Sequence, residues 1–231
     1  MANSVKNQEQ SPVAQTLSKQ ETFLLKYKKA IVGAVVALLV IVAAVICYNN
    51  FYAGPREDKA STALAKAQAL FASEQYEQAL KGGKGTEGFL TVADNYSGTK
   101  AANLAKLYAG LCYAKLEKWQ DAVKFLEDFS TKNDALISPA SQAALGNAYA
   151  NTNNIDKAIS CLKKAADMAD SKADDKTNNS IAPTCLVQAG RLLESQNKAD
   201  EALELYKEVK EKYVNSMAAQ DIDKYIERVT K

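Results

Sequence analysis

Three stretches of this chain repeat one order of small, large and polar positions. They read GLCYAKLEKWQDAVKFLED from Gly110, GNAYANTNNIDKAISCLKK from Gly146 and GRLLESQNKADEALELYKE from Gly190. Each opens on a glycine, carries a large residue three positions on and an alanine twelve positions on. A polar turn, LEKW, TNNI or QNKA, lies between. Such a unit predicts two helices joined by a turn, with the alanine where the helices touch and the glycine where a partner backbone approaches. A fainter copy, ALAKAQALFASEQYEQAL, precedes them with Ala67, Leu70, Tyr76 and Ala79 in register, though Lys66 stands where a leucine is usual. The aligned alanines 79, 122, 158 and 202 are 43, 36 and 44 residues apart. The two long steps hold insertions of loop composition, GGKGTEG at 82–88 and SKADDKTNNS at 171–180. GGKGTEG lacks the spacing of a phosphate loop and follows no strand, so a loop is the better reading.

The tail SMAAQDIDKYIERVTK sets Met217, Ile222, Tyr225, Ile226 and Val229 on nearly a three-to-four rhythm, with a polar reverse face. It predicts a capping helix over 217–230, since an open stack of repeats would leave a core face in water.

A different pattern occupies the amino-terminal part. No charged residue occurs from Ala30 to Pro55, and the core AIVGAVVALLVIVAAVICY is 19 residues long. A helix needs ~20 apolar residues to cross ~30 Å of hydrocarbon. All faces of this one are apolar, whereas a helix on a small domain would show a polar face. The bulky CYNNFY that follows is a poor cleavage site, so a retained signal anchor is predicted over 26–55 rather than a removed signal peptide. Residues 1–29 carry five lysines against two glutamates, and Lys26, Lys28 and Lys29 abut the span. By the positive-inside rule the short amino terminus stays in the cytoplasm and everything after Pro55 crosses. Tyr48, Phe51 and Tyr52 would meet the far interface, and Phe23 and Tyr27 the near one. Residues 1–25, rich in Gln, Ser and Asn, read as a disordered cytoplasmic tail.

Composition removes chemistry. The chain has 29 basic and 27 acidic residues, so no polyelectrolyte partner such as nucleic acid is called for. It has no histidine, which excludes histidine-based general-base catalysis, Ser-His and Cys-His nucleophile pairs and histidine metal sites. Cys47, Cys112, Cys161 and Cys185 show no zinc spacing and read as small buried apolar residues, with a Cys161–Cys185 disulfide as the alternative. Paired carboxylates such as Asp174–Asp175 and Glu201–Glu204 read as solvated faces. No enzyme, cofactor, metal site or small-molecule substrate is expected.

The repeated units resemble the tetratricopeptide repeat, whose period is ~34 residues. Asn103–Phe129 supplies Gly110, Tyr113, Trp119, Ala122 and Leu126 at signature places; Pro139–Ala165 supplies Leu145, Gly146, Tyr149, Ile155, Ala158, Leu162 and Ala165; Pro183–Val209 supplies Leu186, Gly190, Leu193, Ala202 and Tyr206. The resemblance implies an all-α chain: a single transmembrane helix, then an α-solenoid of about four helix pairs (about 60–98, 101–135, 139–170 and 183–214) and the cap, within a domain 56–231. It also implies a groove lined by the first helices. The groove positions would be Leu64, Gln68 and Phe71; Leu104, Leu107, Leu111 and Lys115; Ala140, Ala143, Asn147 and Asn151; and Thr184, Val187, Arg191 and Glu194. That groove is apolar in its amino-terminal half and polar in the other. The Lys, Asn and Arg cluster with which one subclass clamps a peptide carboxylate is reduced here to Asn147 and Arg191. Phe71, Leu104, Leu107 and Leu111 are either core covered by neighbouring helices or a surface for a partner helix or an unfolded segment.

The layout as a whole, with NNFYAGPREDKA followed by FLTVADNYSGTKAANLAKLYAGLCYAKLEKWQDAVKFLEDF, resembles bacterial inner-membrane tetratricopeptide proteins of the YfgM type over residues 20–231. The resemblance implies an ancillary subunit of the Sec translocon. Its periplasmic repeats would meet translocon subunits, a periplasmic chaperone or secretory clients. DNYSGTKAANLA is also similar to the periplasmic coordinator of the Tol–Pal system, which has a cleaved signal, and a mitochondrial outer-membrane receptor shares the anchored layout.

Overall fold

The computed structural model of the protein describes residues 12–231. The chain divides between Pro55 and Arg56 into two units. The first holds helix α1 (Pro12–Tyr48) and a π-helical segment, Asn49–Ala53. Helix α1 begins at Pro12, within the stretch read as a disordered tail, and residues 1–11 of that tail lie outside the described residues. Leu38, Leu39, Val40 and Ile41, consecutive and therefore on all sides of the helix, are 60–62% exposed. None of the described side chains of this helix is buried. This is the one helix among the described residues long and apolar enough to cross a membrane.

The repeats fold as helix pairs because each first helix ends on the same backbone device. Helix α2 (Gly54–Ala72) precedes α3 (Tyr76–Lys81), and α5 (Lys100–Lys115) precedes α6 (Trp119–Glu127). Helix α7 (Ile137–Asn151) precedes α8 (Ile155–Asp170), and α9 (Ala182–Ser195) precedes α10 (Ala199–Lys212). Between the members of each pair one residue, Glu74, Glu117, Asn153 or Asn197, takes a left-handed φ of 57–60°. The next residue's N–H then reaches back five positions: Gln75 to Leu70, Lys118 to Tyr113, Asn154 to Tyr149 and Lys198 to Leu193, all at 2.9–3.0 Å. This 6→1 bond satisfies a carbonyl that the helix end would leave bare and turns the chain back on itself.

The recurring glycine is explained by a residue sixteen positions on. A Cβ added to Gly110 would lie 2.6 Å from Leu126 Cγ, one on Gly146 2.9 Å from Leu162 Cγ, and one on Gly190 2.7 Å from Tyr206 Cζ. Ala122, Ala158 and Ala202, between those contacts, are wholly buried. In the fainter copy Ala67 replaces the glycine and is itself buried; the residue sixteen on is Gly83, which has no side chain to press on it.

Gly83 belongs to a feature that the sequence presented as a loop. Residues 82–88 form a two-stranded antiparallel hairpin, β1 (Gly82–Gly83) and β2 (Thr86–Glu87), turning through Lys84 and Gly85. Gly82 and Gly85 have φ of 85° and 77°, and a Cβ on Gly88 would run into the backbone of Leu80 and Gly82. At Gly82 and Gly88 an added Cβ would strike backbone, so only glycine fits there, and at Gly85 the positive φ favours glycine. The hairpin cuts the second helix of the first pair in two, and α4 (Phe89–Asn95) continues it, packing along α5 with Phe89 and Val92 buried. The other insertion, 171–180, is irregular as its composition predicts.

The core runs as three successive clusters, one around Ala60–Cys112, one around Leu107–Ala158 and one around Ile159–Ile222. Helices α5 and α8 each contribute to two of them, so each pair packs on its neighbours in sequence. Polar groups lock the ends. Glu57 accepts the first amides of α5, from Lys100 at 2.8 Å and Ala101 at 2.9 Å, where a helix amino terminus favours an anion. Asp170, 9% exposed, accepts from Asn178 N at 2.8 Å and from Tyr213 OH and Lys212 Nζ at 2.6 Å each, fastening the insertion to the end of α10.

The cap is α11 (Met217–Gln220) followed by α12 (Ile222–Thr230), not one continuous helix. Ser216 caps α11 by accepting from Ala219 N at 3.1 Å, and the break at Asp221 resets the register. Ile222 is therefore buried and Tyr225, Ile226 and Val229 are half-buried against the last core cluster, while Met217, expected on the same face, is 84% exposed.

Candidate protein-binding groove

Every groove position inferred above falls on a first helix, α2, α5, α7 or α9, but the positions differ in what is left to touch. Leu64 and Leu107 are buried, at 5% and 7% exposure. Leu107 packs with Leu126, Phe129, Leu145 and Tyr149, and Leu104 and Leu111 are half-buried against the same cluster. Phe71 stands edge-on to Tyr108 at 5.3 Å and to Tyr76 at 5.4 Å, and Tyr108 stacks on Phe89 at 5.1 Å. The amino-terminal half is thus packed largely on itself, leaving half-exposed edges of Phe71, Leu104 and Leu111.

The other half is open and polar. Ala140, Asn147, Asn151, Thr184 and Arg191 are exposed at the rim, and Ala143 and Val187 bring further partly accessible side chains; in the amino-terminal half only Lys115, exposed, and Gln68, partly accessible, add polar groups. Asn151 Nδ2 donates to the Asn147 carbonyl at 2.8 Å and so serves its own helix. Asn147 and Arg191 come together, lining one concavity between α7 and α9 with Ala150, Gln188 and Leu192, over Leu162 of α8. Sequence reading missed Gln188, Ala150 and Leu192. They lie three positions from Arg191, three from Asn147 and one from Arg191 respectively, and the helical period alone places the first two on the faces of the residues already chosen.

Glu194, also a groove position by resemblance, is already occupied. Arg228 of α12 makes a two-pronged contact with it, Nε to Oε2 and Nη2 to Oε1 at 2.7 Å each, and the Tyr206 hydroxyl donates to Oε1. The Arg228 fork, helped by Tyr206 and opposed by partial burial, holds the Glu194 carboxyl below the usual carboxylate range. Burial, then Glu194, pushes the Tyr206 hydroxyl up. Tyr149 donates to Glu127 in a similar way, and burial with that carboxylate pushes its hydroxyl up to about 12. All four cysteines are free, so Cys161 and Cys185 are not bridged. Burial raises the Cys112 thiol to about 12 and the Cys185 thiol to about 11, far from a reactive thiolate. Cys47, read with them as buried, is exposed on the uncovered apolar helix. Among the described residues no group of three or more Cys, Asp or Glu is placed to hold a metal ion.

Family models described as tetratricopeptide repeat match residues 104–133, 139–172 and 184–216, which are the pairs α5–α6, α7–α8 and α9–α10. The chain carries tetratricopeptide repeats. Among solved structures it is similar to the nearly identical TPR-like repeats of a putative kinesin light chain from Podosopora anserina. The likeness has a TM-score of 0.57 and 14% identity, over 75% of this chain and 86% of that one. A second structure of those repeats, carrying a single substitution, matches with a TM-score of 0.57 and 14% identity, over 75% and 85% of the two chains. At that identity the likeness is one of fold alone. No curated protein sequence matches the chain significantly. Tetratricopeptide repeats are typically non-enzymatic scaffolds for protein–protein contact.

Proposed function

We propose that this protein is a membrane-anchored tetratricopeptide scaffold of the bacterial inner membrane that binds protein on the periplasmic side as an accessory, chaperone-like subunit of the Sec translocation machinery. The helix over 26–55 is its anchor, its amino terminus lies in the cytoplasm, and the repeats of 56–231 are its working part. The observation that carries the reading is that an unbroken run of repeat pairs follows directly in sequence on an apolar helix whose side chains are uncovered all round. Lys26, Lys28 and Lys29 supply the orientation. Anchoring gives an energetic reason for a shallow groove: confinement near the client raises its effective concentration, so modest affinity suffices.

In-cell photo-crosslinking from Phe71, Leu111, Asn147 and Arg191 tests it, because all four reach the surface. Bands to translocon subunits, a periplasmic chaperone or secretory chains are expected. Bands only to cytosolic proteins, or none from any first-helix position, would sink the proposal.

A further inference from the structure

We infer that one edge of the repeat unit, where the first helices start and the second helices end, rests on the bilayer surface, with Leu136, Ile137, Val214 and Met217 dipping among the lipid headgroups. The inference rests on the membrane-anchor part of the reading above and gives the repeats a second attachment to the membrane.

Among the described residues of 56–231, the exposed large apolar side chains are these four, at 65%, 43%, 64% and 84%. Leu136 and Ile137 stand at the start of α7, and Val214 and Met217 follow the end of α10. Because each second helix runs back along its first, the starts of first helices and the ends of second helices share one edge, and the left-handed turns share the other. Direct bonds tie the first edge together. Arg56 Nη2 donates to the Asn95 carbonyl at 2.9 Å, and Glu57 takes the first amides of α5. Asn103 and Ser130 exchange two bonds at 2.8 and 2.9 Å, and Asp170 joins the end of α8 to Lys212 and Tyr213. The turns of the opposite edge, at 73–75, 117–118, 152–154 and 196–198, hold only Ser, Thr, Asn, Gln, Glu and Lys. Single exposed apolar residues call for no partner, but a set confined to one edge does.

Both apolar points are held outward by ordered backbone. Asp134 accepts from Leu136 N and Ser138 N at 3.0 Å each, and Ser138 and Pro139 behind them are buried. Tyr213 and Ser216, flanking Val214 and Met217, are buried, one on Asp170 and the other as the cap of α11. Continuity names the partner. Arg56 and Glu57, the first two residues of the repeat unit, are bonded into this edge, so the covalent path from the apolar helix to it is short. Tethering at that distance raises the effective concentration of lipid, so a few shallow side chains suffice. Charge plays the lesser part. Exposed Lys100 and Lys132 line one hollow with Thr99 and Ser130 and can meet lipid phosphates, but exposed Asp174 and Asp175 stand on the same edge. Apolar contact is therefore the attachment, and a zwitterionic bilayer is enough. It also gives a use to Met217, which the cap leaves outside the core.

The test uses the full chain in phosphatidylcholine vesicles and reads tryptophan quenching by phosphatidylcholine brominated high on its acyl chains. Trp119, the one tryptophan of the chain, opens α6 at the polar edge and serves as the internal negative. On a Trp119→Phe background, Leu136→Trp and Met217→Trp put a probe on the inferred edge, and Phe51→Trp puts one on the anchor. Emission from both edge probes is expected to shift to the blue and to fall about twofold in brominated vesicles, while Trp119 of the unmodified chain stays nearly unquenched. Ile137→Ser with Val214→Ser should lessen the quenching at both edge probes. If circular dichroism shows that Trp119→Phe loosens the fold, Met217→Trp with Trp119 retained, compared with the unmodified chain, gives the same reading. Quenching of the Phe51→Trp probe with none at the edge probes would overturn the inference and leave the anchor standing; no quenching at Phe51→Trp would remove the anchor reading as well. A blue shift at the edge that grows with protein density and ignores brominated lipid would assign the edge to a second copy of this chain. Quenching of Trp119 as strong as that of the edge probes would show lipid contact without a preferred edge. Either result would overturn the inference.

Discussion

Gly190 faces the ring of Tyr206 so closely that even a methyl group has no room. Both backbones are fixed by helices that pack along their length, so the ring cannot retreat without leaving the wholly buried place it holds. Gly190→Ala is therefore expected to destabilise the repeats by about 1–3 kcal/mol, the range for overpacking a tight interior. Gly83→Ala, where an added Cβ meets nothing within 4 Å, should stay within about 0.5 kcal/mol. Denaturant unfolding followed by circular dichroism compares the two, and an equal effect would mean that the glycine spacing has some other cause. At this scale the sequence was readable. Gly110, Gly146 and Gly190 with Ala122, Ala158 and Ala202 announced a close helix contact, and that contact is present in each pair. What the letters did not show is the sixteen-residue partner, which changes identity from Leu126 to Leu162 to Tyr206 while keeping its place.

Among the elements, the cap and the hairpin show how a segment's role depends on what it meets. Helix α12 has few fully buried side chains, and its fastening to the last repeat includes the Arg228–Glu194 fork and the tilted pair of Tyr206 and Tyr225 rings, 5.4 Å apart. Because Glu194 titrates lower in the folded protein than in the unfolded chain, the stability it contributes is present above the unfolded value of about 4.3 and is lost as pH falls through its depressed folded value. Hydrogen exchange over Ile222–Thr230 should thus lose protection in acid, and Arg228→Ala should remove that part of the pH dependence while lowering protection at neutral pH. An unchanged acid response in Arg228→Ala would assign the effect to other carboxylates. The cap was foreseeable as an amphipathic tail, but its break at Asp221 and the exposure of Met217 were not. The rhythm of apolar residues runs through the break, and only packing reveals that the register restarts. The hairpin at 82–88 shows the same limit: glycines announced an irregular segment, but not that it would divide a helix.

For the repeat unit as a whole, stability is a sum over neighbouring pairs. Removal of residues 217–231 would uncover Tyr206, Val209 and Ile222's former contacts on the last core cluster. The shortened chain is expected to expose α9 and α10 to faster hydrogen exchange and to associate in solution, while protection in α5 and α6, which belong to other clusters, stays near its original level. Uniform loss of protection would show instead that the pairs fold as one cooperative block. The same linear arrangement accounts for the two halves of the candidate groove. The amino-terminal half is bounded by pairs that carry large aromatic and leucine side chains and fill the space between first helices, whereas α7 and α9 carry small and polar residues there and leave it open.

The order of small, large and polar residues by itself determined that this chain forms an apolar helix followed by a series of helix pairs with a closing tail. Each of those features depends on contacts or periods that recur at fixed short separations, and a recurrence leaves a visible trace in sequence. Tertiary structure alone decided that Leu64 and Leu107 are covered, that Glu194 is held by Arg228 thirty-four residues away, and that Gln188 joins Asn147 and Arg191 around one concavity. Those outcomes come from single approaches between helices distant in the chain. They occur once, obey no period, and depend on how closely side chains of particular size fill the space between backbones.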